Sequence, residues 1–142
     1  MQYHFKVYKE DNGYWASCIE LEGCHSQGDT IEELKKNLED ALNLYLDEPS
    51  NSRIVFPQPD TEIKGDDIIS VKVDPHIAFA NYLRMIRITH KMTQKEAAHK
   101  LGYKSTWAYQ KLESSSKTNP ELKTISKIKE VFPEFDVNLI FI

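Results

Sequence analysis

A chain of 142 residues, 40% hydrophobic and 28% charged, has room for one mid-sized domain or two small ones, and its composition is that of a globular protein. No apolar run is long enough to cross a bilayer, and the first residues lack the basic-then-apolar pattern of a signal peptide, so the expectation is a cytoplasmic protein with no membrane attachment. The net charge of −4 hides an asymmetry: residues 1–74 carry seven Lys/Arg against sixteen Asp/Glu, a net of −9, and residues 75–142 carry eleven against six, a net of +5. The basic half suits a phosphate backbone, and the acidic half suits a basic protein. Two cysteines, Cys18 and Cys24, do not make a disulfide framework and are expected to be thiols.

Residues 3–8 alternate, with Tyr3, Phe5 and Val7 on one side and His4, Lys6 and Tyr8 on the other, as a strand requires. Asn12-Gly13 then predicts a hairpin, because both residues tolerate positive φ. A second strand is expected from Tyr14 to Ile19 and a short third from Cys24 to Gln27, after a turn at Gly23. Gly28-Asp29-Thr30 breaks the sheet. Thr30 stands three residues before Glu33, a capping-box spacing, and Ile31, Leu34, Leu38, Ala41, Leu42 and Tyr45 recur at helical intervals, giving a helix of about 16 residues. Residues 48–66 hold three prolines and a glycine and read as a long connection. From Asp67 to Val73 strand alternation returns. The order is β-β-β-α-β, an α+β domain over residues 1–74.

Catalysis by this half finds little support. Cys18, Cys24 and His25 lack a metal-ligand spacing. Cys24 and His25, adjacent on a strand, point to opposite faces and cannot readily form a nucleophile–base pair. No glycine-rich phosphate loop is present. The expectation is a non-enzyme with no catalytic residues, no metal and no cofactor.

The second domain is expected over 75–142. Pro75 suits the first position of a helix that runs to about His90, with Asp74 able to cap it. In 92–102, Thr93 and Glu96 form another capping box, Ala97, Ala98 and Leu101 give a buried face, and Gly102 ends the helix. A second short helix runs to about Glu113, held on the core by Ala108 and Leu112. Two short helices joined by a few residues containing Gly make a helix-turn-helix. Lys104, Ser105, Thr106, Tyr109, Gln110 and Lys111 are its expected exposed, DNA-binding residues, and Gln94 is placed for a phosphate oxygen. A further helix is expected after Asn119-Pro120, capped by Asn119 and lined by Leu122, Ile125 and Ile128. The spacing Thr93-Gln94-x-Glu96-Ala97-Ala98-x-x-Leu101-Gly102 resembles the phage-repressor class of helix-turn-helix domains, although the segment from Gly102 to Glu113 is one residue longer than the usual pattern. The last residues alternate, with Val137, Leu139 and Phe141 on one side, and predict a terminal strand that pairs with a second copy. A homodimer suits a domain class that reads paired half-sites, and larger assemblies are left open.

Tyr14-Trp15, the run from Glu20 through Glu22, Cys24-His25, Gln27-Gly28-Asp29-Thr30 and Glu33 to Leu34, Ala41-Leu42 and Pro57-Gln58-Pro59, together with the helix-turn-helix, resemble the HicB family of antitoxins over nearly the whole chain. The resemblance implies a degenerate, non-catalytic RNase H-like fold for the first domain. It implies that this domain binds and blocks a HicA-type, mRNA-cleaving toxin, with Trp15, Glu20, Glu22 and His25 as candidate contacts. It also implies that the second domain binds operator DNA and represses its own operon. Two other functions are compatible with the residues: a ligand-sensing helix-turn-helix regulator, which needs an apolar pocket with convergent polar groups, and a nuclease, which needs several carboxylates converging on a metal.

Overall fold

The computed structural model describes residues 1–142, which divide into two units: Met1–Leu46 with Phe56–Asp74, and Asp47–Val55 with Pro75–Ile142. The first eight residues of the long connection, 48–55, therefore belong with the second unit. Counted by unit, the first carries six basic and fourteen acidic residues, a net of −8, and the second twelve and eight, a net of +4.

In the first unit, β1 (Gln2–Glu10), β2 (Gly13–Cys18), β3 (His25–Gly28) and β4 (Ile68–Lys72) form an antiparallel sheet in the order β3-β2-β1-β4. The strand alternation puts Tyr3, Phe5, Ala16, Cys18 and Val71 on a buried face. Helix α1 (Ile31–Leu46) covers that face with Leu34, Leu38, Leu42 and Leu46, all buried and four residues apart. Thr30 Oγ1 accepts from the Glu33 N–H at 3.1 Å, and Glu33 reaches back one residue further than a standard box, accepting from Asp29 N–H at 3.3 Å. Gly28 lets β3 run against the start of α1. A Cβ there would stand 2.6 Å from the Leu34 nitrogen and 2.9 Å from its Cα. The β1–β2 turn departs from expectation. Glu10 pairs with Gly13, so the loop residues are Asp11-Asn12, and neither has positive φ; Gly13 carries the unusual backbone at φ +152°, beside the Gly28 carbonyl.

In the second unit, α2 (Pro75–Thr89) buries Ala78, Phe79, Tyr82, Leu83 and Ile86. It ends at Lys91, which takes φ +57°, with the Met92 N–H bonded back to the Arg87 carbonyl. Around it lie α3 (Gln94–Lys100), α4 (Thr106–Gln110), a 3-10 turn over Lys111–Glu113, α5 (Leu122–Val131) and α6 (Asn138–Phe141). Phe135 stacks on Tyr82, ring centroids 5.0 Å apart, and meets Phe79 edge-on at 5.9 Å. Asn119 does not cap α5, which starts after Glu121 without a side-chain cap. Leu122 is exposed, and Ile128 is the residue that anchors the helix.

The expected terminal strand is corrected. Residues 138–141 form a helical turn, Ile140 is buried, and Val137, Leu139 and Phe141 do not line one edge of a strand. Asp136 Oδ1 accepts from the Asn138 N–H at 3.0 Å and the Asp136 N–H donates to Tyr82 at 3.0 Å, so the tail closes into local turns instead of extending. No helix of either unit is long and apolar enough to cross a membrane.

Candidate functional site

The second unit sets its two short helices with local hydrogen bonds. Thr93 accepts from the Glu96 N–H, and Glu96 reciprocates to the Thr93 N–H, so both ends of the capping box are made. At the other end of α3 the Tyr103 N–H bonds to the Ala98 carbonyl at 2.9 Å across Gly102, whose φ of +81° a side chain would strain. Buried Ala97 and Ala98 leave room for α4 to pack closely. Ser105 starts α4 by accepting from the Ala108 N–H at 3.3 Å, so its hydroxyl serves the helix itself.

The face that α4 turns inward differs by one residue from expectation. Tyr109 is fully buried, Ala108 is only half-buried, and Tyr109 with Leu112 holds the helix. Tyr109 is therefore withdrawn as a DNA contact: its hydroxyl donates to buried Glu113 and faces the core. Outward stand Lys104, Trp107 and Lys111, with Thr106 and Gln110 half-exposed. Trp107 is 60% exposed, and the Lys111 Nζ lies 3.9 Å from its ring centroid.

Beneath α4 lies a buried polar cluster centred on Glu113. It accepts from Arg87 Nε at 2.6 Å and NH2 at 2.9 Å, from the Tyr109 hydroxyl, and from Gln94 Nε2 at 3.3 Å. Arg84 donates to the Glu113 carbonyl at 3.1 Å and to the Pro49 carbonyl at 3.4 Å, while its Nε makes no hydrogen bond but pairs electrostatically with the Glu113 carboxylate at 3.8 Å. Burial alone would lower the Arg87 pKa, but the hydrogen bonds and charge of Glu113 carry it upward. For Arg84 burial prevails and the shift is downward. The Tyr109 hydroxyl is pushed well above its usual range by burial and then by Glu113.

Gln94 belongs to this cluster. Its amide also donates to the Ser50 carbonyl at 2.6 Å and accepts from Gln110 Nε2 at 2.9 Å. The expectation of a free Gln94 amide aimed at phosphate is corrected: its amide nitrogen and oxygen link α3, Gln110 of α4, Glu113 and the Asp47–Val55 segment.

In the first unit, Trp15 and His25 share the open face of the sheet, where Glu10, Trp15, His25, Ser26 and Gln27 line a shallow depression. Tyr8 stacks on Trp15, centroids 4.2 Å apart at 14°, with the Lys6 ammonium 5.5 Å from the Tyr8 ring. Glu22 is exposed in the turn before β3, its carbonyl accepting from Tyr45. Glu20 is not available as a contact. Its side chain is 5% exposed and accepts from the His4 N–H at 2.9 Å, His4 Nδ1 at 2.6 Å and the Asp60 N–H at 3.1 Å. Cys18 and Cys24 are buried thiols, pushed up by burial to about 12 and about 11. No group of three His, Cys, Asp or Glu side chains is placed to hold a metal ion.

Sequence reasoning missed Trp107, Tyr8 and Glu113. The spacing of Trp107 and Lys111, four apart on a helix, was the available signal for the first. A buried acid gives none, because Glu is almost always a surface residue.

The helix-turn-helix family HTH_3 matches residues 83–134. A UPF0150 protein of Synechocystis is 40% identical over 70 residues, which span 47% of this chain and 89% of that protein. A protein named Antitoxin HicB from Pseudomonas fluorescens is 35% identical over 72 residues, 48% of this chain and 47% of its own length. Among solved structures, a chain of a HicA3 and HicB3 toxin-antitoxin complex aligns with a TM-score of 0.44 at 24% identity, over 53% of this chain and all of that one.

Proposed function

Because this chain belongs to the UPF0150 family, is similar to a HicB antitoxin and carries an HTH_3 helix-turn-helix, we propose that it is a cytoplasmic, non-enzymatic antitoxin that neutralises a HicA-type mRNA-cleaving toxin and represses its own operon. The observation that carries the reading is the union, in one chain, of an acidic UPF0150-type α+β unit and a basic helix-turn-helix unit. A protein that cuts RNA presents a basic surface to its substrate, and a unit of net −8 complements such a surface. The β-β-β-α-β order agrees with a degenerate RNase H-like fold, and blockade needs surface contact only.

In this reading the open sheet face, with Trp15 and His25, and the exposed Glu22 receive the toxin. Lys104 and Lys111 take phosphates, while Thr106 and Gln110 face base edges. Two copies would read paired half-sites, as helix-turn-helix proteins do. The test is co-expression in bacteria of the full chain with the HicA-type protein encoded beside it, together with a reporter driven by the DNA upstream of its own gene. The expected result is restored growth and a silenced reporter. A toxin that still arrests growth, or a reporter that stays active, overturns the corresponding half of the proposal.

A further inference from the structure

The surface of α4 holds a side chain that phosphate contacts do not explain. Trp107 leaves 60% of its area in water on the outward face of a five-residue helix. The Lys111 ammonium lies over its ring, 3.9 Å from the centroid, so the indole is held by a cation–π contact while most of the side chain stays open to solvent. Its surroundings are mainly basic: from Gly102 to Leu112 the chain has two lysines, Lys104 and Lys111, and no carboxylate, and the depression beside Ala108 and Lys111 adds Lys117 and Lys123 against one acid, Glu121, which pairs with Lys123 at 3.4 Å. The nearest acid in sequence, Glu113, is buried and bound to Arg87 and Tyr109. An apolar ring framed by cations fits a partner that is a polyanion with apolar groups at its recognition surface. The major groove of DNA is such a surface, and the thymine C5-methyl is the apolar group it displays.

We propose that Trp107 is a specificity-determining residue that packs its indole against a thymine C5-methyl in the major groove, with Lys111 fixing the ring and neutralising the adjacent phosphate. The proposal rests on the DNA-binding reading above. It adds a thymine contact that Gln110 and the lysines flanking α4 would not supply. Tyr109 cannot supply it, being inside, and Gln110 is partly committed to Gln94.

The chain has two tryptophans, so in a Trp15→Phe full-length protein the emission reports Trp107 alone. This protein is used to select binding sites from a pool of random DNA duplexes, and each thymine of the selected site is then replaced singly by deoxyuridine, which removes the methyl and keeps the pairing. At one or two positions the replacement should weaken binding about fourfold, the loss expected for one buried methyl, and should reduce the change in Trp107 emission on binding. Trp107→Ala should bind the thymine and uracil duplexes alike while keeping the salt dependence set by the lysines. If every uracil replacement leaves affinity and emission unchanged, or if Trp107→Ala keeps the discrimination, the assignment is overturned. If no sequence is enriched at all, the DNA-binding reading itself fails. Trp107 emission that changes with protein concentration in the absence of DNA would assign the residue to self-association instead.

Discussion

Replacing Glu113 by alanine removes the acceptor at the centre of the cluster under α4. Arg87 loses bonds of 2.6 and 2.9 Å, the Tyr109 hydroxyl loses its partner, and Gln94 loses a contact of 3.3 Å, all around a carboxylate with no exposed surface. Breaking a buried ion pair from one side leaves the other charge uncompensated and costs about 3–5 kcal/mol. A unit of this size holds only about 4–12 kcal/mol in total, so Glu113→Ala should remove much of its stability. Urea unfolding followed by Trp107 emission in a Trp15→Phe background reads this unit alone. Replacing Arg84 and Arg87 by Met and Glu113 by Leu together removes all three buried charges and should fall within about 2 kcal/mol of the parent, because burying apolar groups in place of an ion-pair cluster is often close to neutral. A loss below about 1 kcal/mol for Glu113→Ala, or a triple variant weaker than the single one, would refute the assignment of the cluster as the element that holds α4 in place.

In Gly28→Ala the new methyl meets the backbone of Leu34 and Glu33, so the first unit should lose about 2–3 kcal/mol, read by urea unfolding through Trp15 emission; a change under 0.5 kcal/mol, about the scale of a neutral surface substitution, would mean that β3 and α1 can part. Lys104→Ala should lower the slope of log affinity against log salt by about one, whereas Gln94→Ala should weaken DNA binding with the slope unchanged, since Gln94 acts through Gln110 and Glu113; equal slopes for both variants would contradict the division of roles. Cys18, Cys24, Tyr3 and Tyr109 all have pKa values raised by burial, so the stability they contribute is fully present below their ordinary values near 9 and 10 and declines as pH rises through the shifted ones. Unfolding midpoints should therefore fall from about pH 9 upward; a flat profile to pH 11 would contradict the buried placement of these groups.

Much of the fold was legible because regular burial leaves periodic traces. The leucines of α1 and the alternation in β1 mark helix and strand directly, and the spacing of Thr93 and Glu96 marks the start of α3. The site was legible in position but not in register. In α4 the choice between Ala108 and Tyr109 as the inward residue depends on whether a buried partner exists for a phenol, and that partner, Glu113, gives no sequence signal of its own. The roles of Gln94 and Glu20 failed for the same reason: polar residues read as surface contacts had been enclosed by long-range acceptors and donors, Ser50 for one and His4 with Asp60 for the other. The terminal residues alternate like a strand, yet seven residues with no neighbouring strand found their hydrogen bonds in local turns closed by Asp136. With its backbone satisfied locally, the tail has no exposed strand edge left to pair.

The proposed toxin blockade is tested most directly by RNA cleavage in vitro. A HicA-type toxin of the kind proposed as its partner is purified and its cleavage of messenger RNA followed while the full-length protein is added. Cleavage should stop at a fixed stoichiometric ratio, and a triple change of Trp15, Glu22 and His25 to alanine should raise the amount required while the Glu113 cluster and DNA binding stay intact. Cleavage that continues at the same rate in excess of this protein would contradict the antitoxin reading and leave a helix-turn-helix DNA-binding protein whose acidic unit serves another partner.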